Sequence, residues 1–392
     1  MKNSLLYASP LPPQQSGISH YSELLLQGLK ELFDITLLVD CADVDPSRYS
    51  GMELCQFRDM TNWDRFDYRL YNIGNNPWYH SYIYEAALLR PGAVILHDAV
   101  LYYLYTGYHR MRPNFFRKVF EQEGPLGVAL FKEMFKTGRD PLEFSQPELL
   151  PLNGELIDSG NDFLAHSQYT LDIVRARALR PFHSRKINHI VRQPDSGAKG
   201  SGVRQRFRVP PGAVLIASFG FIAPTKLNHV VCEVVQRLEA ARPGSIFYLT
   251  VGEGGYADRH LCSFIQKTGF RSEEDFDDCL AGVDLVVNLR YPSMGETSGS
   301  LLRAFSFAKP CIVCNHGWFS ELPRDTVVKL DPLPEKLLRE MLYEVLLAYL
   351  DRPALFNPLG RNAREWTETE CSIPRIGAQI AEFLQDSAER PL

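Results

Sequence analysis

Residues 291–323 read YPSMGETSGSLLRAFSFAKPCIVCNHGWFSELP. Gly295, Glu296, Ser298, Gly299 and Ser300 stand directly before an apolar run of helical character, and Lys309-Pro310 then opens a β-rich run. Small residues at the mouth of a helix let a ligand approach the backbone. The first helical turn leaves amide N–H groups without partners, and together with the helix dipole they make an anion site. The stretch therefore predicts a loop, a helix and a strand in sequence, with an anion at the helix start and Glu296 beside it.

Working outward, the same alternation runs along the chain. AVLIASFG (213–220), a helix over 227–240, IFYLTVG (246–252) and VDLVVNL (283–289) precede the quoted stretch. In the first half, strands are expected at residues 5–9, 35–40, 68–74, 93–98 and 163–167. Ile18, Tyr21, Leu25, Leu29 and Leu32 recur at helical spacing after the loop PLPPQQSG (10–17). Strand–helix alternation of this kind predicts parallel sheets with helical crossovers, which gather ligands at the carboxyl ends of their strands. RQPDSGAKGSGVRQRF (192–207) interrupts the alternation and reads as a linker. Two doubly wound α/β domains are thus expected, over 1–195 and 196–372. A last helix in 373–392 carries an apolar stripe (Ile373, Ile376, Ile380, Phe383, Leu384) suited to packing back on the first domain.

Composition narrows the class. The 392 residues are 45% hydrophobic and 23% charged, with a net charge of −5. This is the balance of a soluble globular protein and argues against a nucleic-acid partner. No apolar run is long enough to span a membrane, and Pro10 and Pro12 follow the start too closely for a signal peptide. The eight cysteines are scattered and suit a reducing cytosol. Cys311 and Cys314 form a C-x-x-C with only His316 close in sequence, and in a strand the two would face opposite ways, so no metal site is expected.

With both halves read, the chain resembles the two-Rossmann-domain glycosyltransferases of the GT-B fold, in particular the retaining family 4 enzymes. The resemblance rests on PLPPQQSGISHYSELL, VILHD, SFGFIAPTK and the stretch LRYPSMGETSGSLLRAFSFAKPCIVCNHGWFSELP, in that order. It implies an interdomain cleft and transfer of a hexose from a nucleotide sugar, UDP-glucose by default, to a saccharide or lipid-linked saccharide in surface-polysaccharide assembly. Retention of configuration, no bound metal and no cofactor beyond the nucleotide-sugar donor are implied with it. A nucleotide-sugar epimerase and a degenerate nucleotide-sugar-binding protein are the alternatives.

On this resemblance Lys226 meets the donor diphosphate. The arginine that often precedes it by five residues is Phe221 here, and Arg290 is a substitute cation. A solvated lysine at a helix start is the plain alternative. Ser298, Gly299 and Ser300 offer donors to the distal phosphate, or a simple helix cap. Glu296 lies on the sugar side. The second glutamate of the family motif, expected to hold the ribose, is absent, and Arg303 stands near its place. Gly17 borders donor and acceptor. Gly252 lies near the nucleotide, and backbone groups around Phe270 read the base. His97 contacts the transferred sugar, can exchange protons near neutrality, and has its tautomer set by Asp98. His166 is a similar strand-end histidine. Asn75, Asn76 and His80, with Asp98, are acceptor contacts, although turn chemistry explains the asparagines equally well.

The stretch 102–136 interleaves Arg110, Arg112, Arg117, Lys118, Lys132 and Lys136 with Phe115, Phe116, Phe120, Phe131 and Phe135. It allows two readings. One is a helical pair with phenylalanines in the core. The other is a peripheral contact with the inner face of a membrane.

Overall fold

The computed structural model describes residues 2–40, 43–194, 200 and 202–389. Cys41, residues 195–199 and 201 of the expected linker, and the last three residues of 373–392 lie outside the described residues.

The chain forms two compact units. The first comprises residues 1–190, 294–297 and 373–392, and the second residues 191–293 and 298–372. The first sheet contains β1 (Asn3–Ala8), β2 (Phe33–Val39), β3 (Glu53–Gln56), β4 (Tyr68–Ile73), β5 (Ala93–Leu96), β6 (Asp162–Ala165) and β7 (Ser184–Lys186), ordered β3-β2-β1-β4-β5-β6-β7. The second contains β8 (Val214–Phe219), β9 (Ile246–Val251), β10 (Ile265–Lys267), β11 (Leu285–Asn288), β12 (Cys311–Cys314) and β13 (Val328–Leu330), ordered β10-β9-β8-β11-β12-β13. Every pairing between these neighbours is parallel. Each unit is a doubly wound Rossmann-like sheet, as the alternation predicts.

The strands form because their residues are apolar on both faces, as central parallel strands require. In β1, Leu6 and Ala8 enter one core while Leu5 and Tyr7 enter the core on the opposite face. In β8, Leu215, Ala217 and Phe219 fill one side and Ile216 the other. Cys311 and Cys314 divide between the two cores of the second unit in the same way, and burial pushes the Cys314 thiol up to about 12.

The last helix, Ile373–Ala388, belongs to the first unit and packs on the helix Gly17–Leu29. Its Ile376, Ile380, Phe383 and Leu384 join the core of Leu24 and Leu25. The two helices approach closely at glycines: a Cβ on Gly28 would sit 3.0 Å from the Ile373 carbonyl oxygen.

The expected linker needs correction. The stretch 192–207 is not linker throughout, because it includes the short helix Val203–Arg206. Val203 and Phe207 are buried in the second unit's core, and Arg204 is paired with Asp284. The division in space falls between Ile190 and Val191, and the short segment 294–297 returns to the first unit.

Candidate functional site

In each unit the sheet order reverses beside the first strand, between β1 and β4 and between β8 and β11. Ligands of such sheets bind beyond the carboxyl ends of the strands at this reversal. The candidate residues collect there, in two groups.

In the second unit β8 ends at Phe219, and Gly220 follows with φ +93°. The Phe219 carbonyl accepts from Lys226 Nζ at 3.1 Å and from Ser300 Oγ at 3.4 Å. A lysine and a serine separated by 73 intervening residues in the chain thus meet at one strand end. Ser298 caps the helix Gly299–Ser306, its Oγ accepting from Leu301 N at 3.3 Å. Asn288, buried at the end of β11, donates to the same Oγ at 2.9 Å. Cap, lysine and hydroxyl therefore surround the helix start expected to take an anion. The capping role of Ser298 is realised and leaves the remaining first-turn amides facing the same end.

Gly252 and Gly254 let the β9 loop lie against the β8 loop. A Cβ on Gly252 would lie 2.2 Å from the Gly220 carbonyl oxygen, and one on Gly254 2.2 Å from that of Ile222. Both have positive φ, +150° and +123°. The residue between them, Glu253, accepts from the Phe270 amide through Oε1 at 2.6 Å, so that amide already has a carboxylate partner. The rings of Phe221 and Phe270 are 66% and 65% exposed. Arg290 follows β11, its amide donating to Cys314 Sγ at 3.3 Å. Arg303, near the place of the family's second glutamate, is paired with Glu273 and Asp277 and lies over the Phe276 ring.

In the first unit Ser16 caps the helix Gly17–Leu29. A Cβ on Gly17 would meet no atom within 4 Å, so the protein's own packing does not require glycine there. Gly17→Ala is expected to leave folding intact, or stabilise it by up to about 1 kcal/mol. Turnover should fall roughly ten- to hundredfold if a ligand approaches this backbone. Thermal melts beside transfer assays separate the two effects. Unchanged turnover removes Gly17 from the site.

Beyond β4 the asparagines serve as caps. Asn76 Oδ1 accepts from Trp78 N, and Asn75 Oδ1 accepts from Tyr103 N at 2.9 Å. The Asn75 amide donates to Asp98 Oδ2 at 2.9 Å. His80 is buried, with Nδ1 3.1 Å from the Asn72 carbonyl oxygen. His97 Nε2 lies 3.2 Å from Asn72 Oδ1. Asn72, inside β4, is therefore the side chain that orients His97.

The Tyr21 ring packs edge-on or tilted against His97, His166 and His189, with centroids 4.8 to 5.2 Å away. Burial, reinforced by His166, His189 and His80, pushes the His97 imidazole well below its usual range. His166 moves the same way through burial and His189. The expectation that His97 titrates near neutrality is corrected on this ground: its ring is neutral at pH 7.

Glu296 lies in the segment that joins the first unit. Ala99 N and Val100 N donate to the Met294 carbonyl at 2.7 and 3.0 Å, and Thr170 Oγ1 to the Gly295 carbonyl at 2.6 Å. A Cβ on Gly295 would collide with Ala99 at 2.6 Å, so the segment can lie here only with glycine. These bonds fix Glu296 beside the chain that follows His97 and Asp98. Its Oε2 accepts from Met294 N at 2.6 Å. Asn72, Thr170, Glu253 and Asn288 carry this geometry and were not singled out from the sequence. Each acts through a residue distant in the chain, and no local motif marks them.

Two Rossmann-like units of parallel strands, with polar groups collected where each sheet order reverses, define the GT-B class of fold. No family model matches the chain, and no curated protein sequence does. The chain is similar in structure to HepE of Anabaena, solved with UDP and glucose. The TM-score is 0.67 at 14% identity, covering 98% of this chain and 100% of that one. It is similar also to sucrose-phosphate synthase of Thermosynechococcus elongatus, with TM-score 0.66 and 12% identity over 98% of this chain and 99% of the other. A third, WaaG, a glycosyltransferase involved in lipopolysaccharide biosynthesis, gives 0.61 and 13% over 97% and 99%.

Proposed function

We propose that this protein is a family 4 glycosyltransferase. It moves a hexose from a nucleotide sugar, UDP-glucose by default, to a saccharide or lipid-linked saccharide in surface-polysaccharide assembly. The observation that carries the reading is the meeting of Lys226 Nζ and Ser300 Oγ at the Phe219 carbonyl, beside the capped start of the helix Gly299–Ser306. A cation, a hydroxyl and helix-start amides together suit a diphosphate, whose charge they stabilise as the leaving group departs.

In this reading the second unit holds the nucleotide and the first receives the acceptor. The transfer retains configuration and needs no metal or cofactor. The leaving phosphate oxygen, steadied by Lys226 and Ser300, takes the acceptor proton while the new bond forms on the same face of the sugar. His97, neutral and oriented by Asn72, contacts the sugar as a hydrogen-bonding group and moves no proton. Asn75, Asn76, His80 and Asp98 shape the acceptor side, the asparagines chiefly through the helices they cap. Arg290 adds a second cation, and Gly252 and Phe270 border the nucleotide. The protein works in the cytoplasm.

The test is a panel of nucleotide sugars, with and without saccharide acceptors, followed by nucleotide release. Release that requires acceptor and survives a chelator supports the reading. Release without acceptor indicates an epimerase or hydrolase. Binding without release indicates a non-catalytic member, which the commitment of Arg303 to Glu273 and Asp277 favours as the second reading.

Glu296→Gln separates roles further. Removing the charge is expected to lower turnover roughly ten- to thousandfold while free-nucleotide affinity holds, because free nucleotide lacks the sugar. An equal loss of nucleotide affinity assigns Glu296 to ribose or to the loop's structure.

A further inference from the structure

Trp78 is 73% exposed, more than any other aromatic side chain among the described residues, whereas Trp63 and Trp318 are 8% and 3% exposed. Tryptophan is on average well buried, because its ring carries so much apolar area. Among the described residues no ring packs on this indole and no group bonds its nitrogen. Its root, by contrast, is fixed. Trp78 is the second residue of the helix Pro77–Leu89, and its amide donates to the Asn76 cap at 2.9 Å. Pro77 is pressed against the helix Tyr102–His109, where a Cβ on Gly107 would lie 2.3 Å from Pro77 Cβ. A rigid backbone thus carries a free ring, which is the form of a preorganised binding group.

The ring stands at the ligand end of the first sheet. Gly74 follows β4, and a Cβ there would lie 2.4 Å from Ile18 Cδ1, 3.2 Å from His80 Nε2 and 3.3 Å from Asp98 Oδ2. The segments that follow β1, β4 and β5 therefore converge at this glycine, four residues before Trp78. Asn76, exposed beside the ring, gives its Oδ1 to the helix and turns its Nδ2 donors to solvent. The arginine that reaches this helix, Arg112, is paired with Glu85 and lies 3.8 Å over the Tyr108 ring. The rim offers stacking and hydrogen bonding rather than a cation.

An indole face with amide donors beside it is complementary to a pyranose. The C–H groups of the sugar form an apolar face whose hydrogens carry partial positive charge and suit the negative face of an aromatic ring. Its hydroxyls project at the edge and need directional partners, which an amide supplies. We propose that Trp78 is a stacking platform for a saccharide, one pyranose of which lies on the indole with its hydroxyls toward Asn76. The proposal rests on the reading in which the first unit receives the acceptor. It makes the acceptor's sugar, not a lipid, the part recognised here.

Indole shielding reads this contact without donor or turnover. Acrylamide quenches exposed indoles, and Trp78 dominates the quenchable signal because Trp63 and Trp318 are buried. Cellobiose, maltose, lactose and diacetylchitobiose are each titrated into the full chain. At least one is expected to shield the indole, and the shielding should vanish in Trp78→Phe, which keeps a ring but no indole. In transfer assays Trp78→Ala should raise the acceptor KM roughly tenfold and leave the donor KM in place, and Trp78→Phe should recover part of that loss. Both variants should keep the parent's melting temperature, since the ring has no partner in the fold. Shielding by none of the sugars overturns the proposal, as does an unchanged acceptor KM in Trp78→Ala. Shielding by phosphatidylglycerol vesicles in place of sugar, or a dimer that Trp78→Ala dissociates, overturns it too, since a membrane or a second copy would then cover the ring. Acceptor-dependent transfer without shielding removes Trp78 and leaves the transfer reading standing. Shielding without transfer from any donor supports the saccharide site and removes the transfer reading.

Discussion

Replacing Lys226 with alanine is expected to weaken binding of a nucleoside diphosphate roughly 10- to 150-fold, the equivalent of roughly 1.5–3 kcal/mol for one charge-assisted bond. The ammonium donates to the Phe219 carbonyl at 3.1 Å, so it already rests at the strand end where a phosphate would arrive. A Cβ on Gly220 would come within 2.8 Å of Nζ, so the glycine keeps that approach open. Phe221 carries no charge and Arg303 is held by Glu273 and Asp277, so Arg290, the proposed second cation, can compensate only in part. Calorimetric titration with a nucleoside diphosphate, beside transfer kinetics, reads the effect. Loss in kcat/KM should match or exceed loss in affinity, because the leaving phosphate gains charge in the transition state. A folded variant with unchanged affinity makes Lys226 a solvated helix-start residue. Lys226→Arg should recover part of the loss, since it restores charge without the same geometry.

What the sequence made legible follows burial. β1, β4, β8 and β9 are apolar on both faces, and their runs announce strands. β7 (SRK), β10 (IQK) and β13 (VKL) are three residues long, carry charge and sit at sheet edges, so no periodicity distinguishes them from loop. The same contrast holds at the site. Lys226, Ser298 and Ser300 lie at helical turns and a helix start whose composition signals a ligand. Asn288 and Asn72 are single polar residues inside strands, and only the fold reveals that one positions Ser298 and the other His97. Glu296 was visible as an acid at a helix mouth. Its attachment through Met294 and Gly295 to Ala99, Val100 and Thr170 was not, because those partners come from a loop and a helix start more than a hundred residues earlier. The stretch 102–136 misled in another way. Phenylalanine at helical spacing cannot tell core from surface when the helix Phe115–Lys136 doubles back at Gly124 and presents both faces.

Acid should unfold the first unit well before the second. His80 and His189 are buried, and burial pushes each imidazole from 6.5 down to about 4. His97 and His166 are displaced in the same direction, and all three of His97, His166 and His189 surround the Tyr21 ring. The folded unit therefore holds these rings neutral, while the unfolded chain takes up protons as pH falls through 6.5. Stability is complete above that value and falls until the folded pKa is reached near 4. A displacement of that size corresponds to roughly 3 kcal/mol per histidine. Two such histidines approach the whole stability of a typical domain, about 5–15 kcal/mol. Glu155 behaves differently: His109 and Lys118 outweigh its burial and hold its carboxyl at about 2, so its contribution is lost only at more acid pH. Urea melts from neutrality to about pH 4, monitored by calorimetry or by hydrogen exchange resolved along the chain, should show the transition of residues 1–190 moving steeply. His189→Gln cannot take up that proton and should flatten the slope, even if it lowers stability at neutral pH. A transition that stays level across this window would show that water reaches these rings and that the histidines are not held neutral by burial.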